Sequence, residues 1–148
     1  MRHLILAGMV WLCSLVSVVA QSVPQVIPAL QQWQPAKGKL VLPESGKVIV
    51  SSDEEGILKQ SAEILVQDLK EMFGWNYRVV VGKKEKEAVY LTLSKPDKTL
   101  GDEGYRMDIR NGVTIEAPTS KGVFWGTRTL LQMIHNQPEG LMKGLATD

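Results

Sequence analysis

Two side chains that carry much of enzyme chemistry are nearly missing from this 148-residue sequence: it has one cysteine, Cys13, and two histidines, His3 and His135. A Cys/His nucleophile pair or a Cys/His zinc set therefore has almost nothing to be built from. An excess of one charge is missing too, with 17 Lys+Arg against 16 Asp+Glu. Such balance argues against nucleic acid or an anionic membrane as partner, since both select clustered basic residues. Aromatics make up 6% of the chain, which leaves few rings for a module that grips glycans on an aromatic array.

Long apolar runs are absent with one exception. After the basic start Met1-Arg2-His3, Leu4 to Ala20 is apolar apart from two serines and a glycine, and Val18-Val19-Ala20 ahead of Gln21 offers signal peptidase a small residue. Residues 1–20 read as a cleaved signal peptide; as a membrane anchor the run falls short of the ~20 residues a span needs. Cys13 lies inside it, and the preceding Val10-Trp11-Leu12 lacks the small residues of a lipoprotein cleavage site. The expectation is a secreted or periplasmic protein, with a lean to a bacterial envelope and no membrane contact after cleavage. Arg2 is the one basic residue of that leader, so the mature part carries sixteen Lys+Arg against sixteen Asp+Glu and no cysteine. Without disulfides it must be stabilised by its core, and residues 21–148 are enough for one ordinary domain.

Gln21 to Pro35, with Pro24, Pro28 and Pro35, reads as an extended lead-in. Lys39–Leu42 and Lys47–Ser51 read as strands either side of Pro43-Glu44-Ser45-Gly46, a first hairpin. Ser52 followed by Glu55 reads as a capping box. Leu58, Ala62, Leu65, Leu69 and Met72 then make a helical stripe that Gly74 closes, with Lys59, Glu63, Asp68, Lys70 and Glu71 on a solvated face. Tyr77–Val81 and Ala88–Leu93 are rich in β-branched residues. Between them Gly82–Glu87 is a charged, mobile loop; no helix follows its glycine and two glutamates interleave its lysines, against a phosphate site.

The stretch from Asp102 to Gln132 organises the rest. Tyr105, Met107 and Ile109 alternate with polar residues, and Val113, Ile115 and Ala117 resume the alternation after Asn111-Gly112. A two-residue turn would set each apolar side chain opposite a polar one. A three-residue loop, Arg110-Asn111-Gly112 with Gly112 left-handed, pairs Ile109 with Val113, Met107 with Ile115 and Tyr105 with Ala117. Pro118 stops the strand, Thr119 or Ser120 caps a second helix, and Val123, Thr127, Leu130 and Ile134 form its stripe. Gly122 and Gly126 on one side of that helix imply a close approach, by the sheet or by a ligand passing over them. The expected fold is α+β, a mostly antiparallel sheet with two helices packed on one face. One domain is expected over 21–137, with 138–148 starting a linker after Pro138-Glu139-Gly140.

The inventory for chemistry is thin, and no catalytic, cofactor-binding or metal-binding residue is assigned. His135 is alone near a helix C-terminus, where a cation is favoured. Adjacent carboxylates at Asp102-Glu103 would point to opposite faces of a strand, and Asp53-Glu54-Glu55 would serve a helix start. The serines at 45, 51, 52, 61, 94 and 120 have no neighbouring base or nucleophile-elbow motif. No cofactor is expected.

At Gly104-Tyr105, Gly112-Val113-Thr114-Ile115-Glu116-Ala117 and Gly122-Val123-Phe124-Trp125-Gly126-Thr127-Arg128-Thr129-Leu130-Leu131-Gln132, with Val26-Ile27-Pro28 at the entry, the sequence resembles the N-terminal, non-catalytic domain of the family 20 β-N-acetylhexosaminidases. Trp125 stands where tyrosine is commoner. The resemblance covers nearly the whole mature chain. It implies a secreted glycosidase that removes terminal N-acetylhexosamine from glycans, its catalytic Asp-Glu pair lying on a (β/α)₈ barrel of the same polypeptide that is absent here, so that no catalytic residue carries over. Two alternatives stay open: the corresponding domain of another glycosidase such as an α-glucuronidase, or an independent carbohydrate-binding module.

Overall fold

The computed structural model describes residues 22–148, so the segment read as a signal peptide lies outside the described residues. Seven strands and two helices follow one another as β1 Gln32–Leu40, β2 Ser45–Val50, α1 Glu55–Phe73, β3 Asn76–Val81, β4 Val89–Leu93, β5 Arg106–Ile109, β6 Val113–Ala117, α2 Ser120–Asn136 and β7 Leu141–Thr147. The strands form a single sheet in the order β1-β7-β5-β6-β4-β2-β3. The α+β class stands, with both helices over one face. Pairing is antiparallel through β1, β7, β5 and β6 and parallel through β6, β4, β2 and β3. The parallel β2–β3 pair follows from α1, a crossover that returns the chain so that β3 runs alongside β2 in the same direction.

α1 forms where Leu58, Ala62, Leu65 and Leu69 recur at helical spacing, and all four are buried against the sheet. Burial of each leucine contributes about 1.5–3 kcal/mol. The fifth member, Met72, is instead 53% exposed. A stripe spaced by alternating fours and threes drifts roughly 20° per seven residues on a 3.6-residue helix, enough over two heptads to turn Met72 off the sheet. Gly74, at φ 72°, ends the helix as expected, its N–H and that of Trp75 bonding back to Lys70 and Leu69. The capping box does not form. Ser52–Glu54 winds into a 3₁₀ turn, and the Glu54 carboxylate accepts the Leu93 N–H at 3.0 Å, tying the helix entrance to β4.

Two corrections concern the ends of the chain. Gln32–Leu40, half of it inside the expected lead-in, is β1, and it pairs with β7 and not with β2, so there is no first hairpin. Pro35 is tolerated because β1 is an edge strand, and the register shifts between Pro35 and Lys39. Residues 138–148 do not begin a linker: Leu141–Thr147 is β7, bonded to β1 on one side and β5 on the other.

The β5–β6 hairpin has the register expected from apolar pairing, Ile109 facing Val113 and Met107 facing Ile115. The ladder to β6 ends at Arg106–Glu116, one position short of Tyr105 and Ala117, and on the β7 side Tyr105 exchanges both backbone hydrogen bonds with Asp148. Gly112 is not left-handed. Its lack of a side chain serves a close approach, since a β-carbon there would lie 2.8 Å from the Ala88 carbonyl oxygen. The loop before Ala88 is pinned accordingly, with Glu87 N–H bonding to Asn111 O at 2.6 Å and Glu85 paired to Lys47 at 2.7 Å.

α2 starts at Thr119, whose hydroxyl accepts the Gly122 N–H at 3.1 Å. Gly122 and Gly126 let it settle onto the strands. A β-carbon on Gly122 would meet the Gly104 carbonyl and lie 2.7 Å from Ala117 Cβ, and one on Gly126 would run into Ile115. The sheet, not a ligand, is what approaches them.

Candidate functional site

The groups that could do chemistry are dispersed and mostly engaged in structure. Asp102 and Glu103 are exposed; the Asp102 carbonyl accepts the Thr119 hydroxyl, and the Glu103 carboxylate pairs with Lys121 at 3.2 Å. Glu55 is exposed in the first turn of α1 and His135 is exposed in the last turn of α2. Among the described residues no three His, Cys, Asp or Glu side chains gather to hold a metal ion. Asp68, placed on the solvated face by its sequence position, is half-buried, pairing with Arg128 of α2, whose guanidinium also lies 4.8 Å from the centre of the Phe124 ring.

Shifted proton affinities mark architecture. Hydrogen bonds from the Thr99 hydroxyl, from Arg106 at 2.6 Å and from the Thr99 N–H lower Asp97 to about 2, and they close the turn that leads into β5. Burial pushes the phenols of Tyr77 and Tyr105 up to about 12. Tyr77 bonds to the Pro43 carbonyl at 2.8 Å, while Tyr105 and the Thr129 hydroxyl share a buried bond of 2.6 Å. Burial also raises the Asp148 carboxyl above its ordinary range.

The three tryptophans among the described residues lie on different elements. Trp33 is half-buried on β1, and Trp75 packs against Phe73 and Tyr77 with ring centres 5.6 and 5.9 Å away, tilted against the first and stacked on the second. Trp75 lines an apolar cleft of about 400 Å³ with Leu42, Phe73, Ile134 and Pro138, and Glu44 and His135 also stand on its wall.

The surface with a distinct chemical character is the outer side of the helix layer. The lead-in runs along α2 as a strap. Gln132 clamps it by taking the Ile27 N–H at 2.8 Å and giving its own amide N–H to the Ile27 carbonyl at 2.9 Å; Asn136 holds the Gln25 carbonyl at 2.7 Å. Val26 is buried beneath, while Ile27 stands 85% exposed. Ile27 shares one cleft with Met72 and another, of about 260 Å³, with Pro28, Trp125, Arg128 and Asp148. Met72, Ile27 and Trp125 thus line a ridge across α2 that the sequence did not suggest; the drift of the α1 stripe is the signal that places Met72 on it.

The opposite face of the sheet is of a different kind. Arg106 and Asp108 on β5, Thr114 and Glu116 on β6, Tyr90 and Thr92 on β4 and Lys143 on β7 alternate with the core residues and are half-buried, and Ile49, Val80 and Leu145 share their side of the sheet, a face of mixed polar and apolar character.

Comparison with known proteins places these features in a lineage. The lacto-N-biosidase of Bifidobacterium bifidum is 32% identical over 113 residues, covering 75% of this chain and 10% of that protein. Among solved structures, the GH20 β-N-acetylhexosaminidase of Streptomyces coelicolor superposes with a TM-score of 0.70 at 27% identity, over 86% of this chain and 27% of that one. The N-acetyl-β-hexosaminidase of Streptomyces plicatus, in complex with Thio-NAglucal, gives 0.68 at 27% identity, over 86% and 26%. The chain therefore spans about a quarter of those structures and a tenth of the lacto-N-biosidase. Residues 23–148 match the family described as glycosyl hydrolase family 20, domain 2, β7 included. The chain belongs to glycosyl hydrolase family 20, in which it constitutes domain 2.

Proposed function

We propose that this chain is the non-catalytic docking domain of a secreted or periplasmic β-N-acetylhexosaminidase, the parent enzyme removing terminal N-acetylhexosamine residues from glycans. In this family the domain normally sits with a catalytic (β/α)₈ barrel in the same chain. The domain meets that barrel through its helix layer. The observation that carries this is the exposed Met72, Ile27 and Trp125 ridge over α2, set against an outer sheet face of mixed polar and apolar character. Apolar surface of this kind, rimmed by Arg128 and Asp148, is what an inter-domain contact buries. The dispersed carboxylates support an accessory role, with the glycan handled by the barrel.

The test is hydrolysis of a chromogenic N-acetylglucosaminide by this chain and by the longer polypeptide that its gene encodes, with a lacto-N-bioside run in parallel. Activity in the longer protein alone, on the first substrate, is the expected result. Turnover by residues 21–148 alone would refute the accessory role, and turnover of the bioside alone would move the substrate class.

A further inference from the structure

We propose that Ile27 is the anchor that fastens this domain to the catalytic part of its own polypeptide, an inference that rests on the docking role just proposed. Ile27 is the most exposed large apolar side chain among the described residues, yet its backbone is among the best held. Its N–H and C=O are both taken by the one amide of Gln132, at 2.8 and 2.9 Å, and the residue before it is buried. A solvent-facing tail has no use for such a clamp. Held this way the side chain is presented outward with its backbone already ordered, so a partner that buries it has little left to immobilise.

Its surroundings fit an anchor. Ile27 stands between Met72 and Trp125, each about half exposed, with Arg128 and Glu103 at the rim of the Trp125 cleft. A central apolar group with aromatic support and a polar rim is the usual anatomy of an interface hot spot. The occupant follows from position. Asp148 lines the same cleft as Ile27, Pro28 and Trp125, so polypeptide continuing from Asp148 leaves the domain at this cleft. The related enzymes are about four times as long as the region matched here, which supplies a covering body already tethered at high effective concentration.

The experiment uses the full-length gene product and compares Ile27→Asp with Val81→Asp, which places the same charge on another exposed apolar residue, at the β3 edge. Scanning calorimetry and limited trypsin digestion of the segment following Asp148 are the readouts. Wild type and Val81→Asp are expected to unfold in one coupled transition. Ile27→Asp splits it in two and speeds cleavage at least tenfold, and Gln132→Leu, which keeps Ile27 but releases its clamp, gives a smaller acceleration. If wild type is coupled and Ile27→Asp behaves like it, the anchor is overturned while docking stands. If wild type already unfolds as two independent units, docking itself falls and the anchor with it. Loss of the domain's own transition in Ile27→Asp would make Ile27 an internal packing residue and would also overturn the proposal.

Discussion

Gly126→Ala sets two known effects against each other at one atom. A methyl in the middle of a helix is worth up to about 1 kcal/mol over glycine. At this position the new β-carbon would stand closer than 3.0 Å to Ile115 Cγ2 and 3.2 Å from Tyr105 Cδ2. Both neighbours are essentially without solvent exposure, so neither has open space to move into. Reaching the ~3.5–4.0 Å of an ordinary carbon contact requires α2 to lift from β6 or Ile115 to leave its rotamer, and overpacking of this sort costs about 1–3 kcal/mol. Strain outweighs propensity, and the expected net loss is about 1–2 kcal/mol, a fall in Tm of roughly 3–10 °C for a domain of this size. Urea unfolding measures it as a lower midpoint at unchanged slope. Ile115→Ala removes the offending methyl and alone costs about 2–5 kcal/mol, but combined with Gly126→Ala it should cost at least ~1 kcal/mol less than the sum of the two. Ile115→Val keeps Cγ2 and should give no such relief. A Gly126→Ala protein that gains stability, or effects that add with either partner, would show that α2 does not lie where it has been placed.

Thr119→Ala, which removes the cap on the Gly122 N–H and the hydroxyl bond to the Asp102 carbonyl, should cost about 1–2 kcal/mol in chemical denaturation, and Thr119→Ser should recover most of it. Tyr77 and Tyr105, both raised from 10.0 to about 12, contribute stability that is complete below pH 10 and declines from there through pH 12, by up to roughly 2–3 kcal/mol each; Tm measured from pH 9 to 12 should fall less steeply in Tyr105→Phe. Asp97, lowered from 3.8 to about 2, contributes stability that is present above pH 4 and is lost as pH falls towards 2, so Asp97→Asn should flatten the acid limb of the Tm profile. Arg128→Met, which breaks the half-exposed pair with Asp68 and the contact with Phe124, should cost about 0.5–1 kcal/mol, and 0.5 M NaCl should narrow the gap to wild type.

The elements that could be read from the residues are those whose signal is local. Alternation through Tyr105–Ala117 specified the β5–β6 register because a one-residue slip would have exposed Met107 and Ile115, and the stripe from Leu58 to Leu69 needed no partner to be seen as a helix. β1 and β7 were missed for the opposite reason. Each is recognisable only through the other: Gln32–Leu40 holds two lysines, a proline and a glycine, and its strand character comes from hydrogen bonds to Leu141–Thr147, more than a hundred residues away. The same holds for the surface. Nothing in the spacing of Gln25, Ile27, Gln132 and Asn136 shows that two amides hold a strap on α2, because the clamp is made of contacts a hundred residues apart in sequence.

The sheet order bears on how the domain is made. β1 has β7 as its sole strand neighbour, so the first strand to emerge from the ribosome has no partner until the last one has been synthesised. At about 5–20 residues per second that interval is on the order of 5–20 s. Until then a helix-bearing core of β2 to β6 carries β1 as a loose end and leaves the β5 edge unpaired, open to pairing with another chain. β7 is thus a clasp that closes the domain in one late step, and nascent chains halted before Leu141 should be the ones that aggregate.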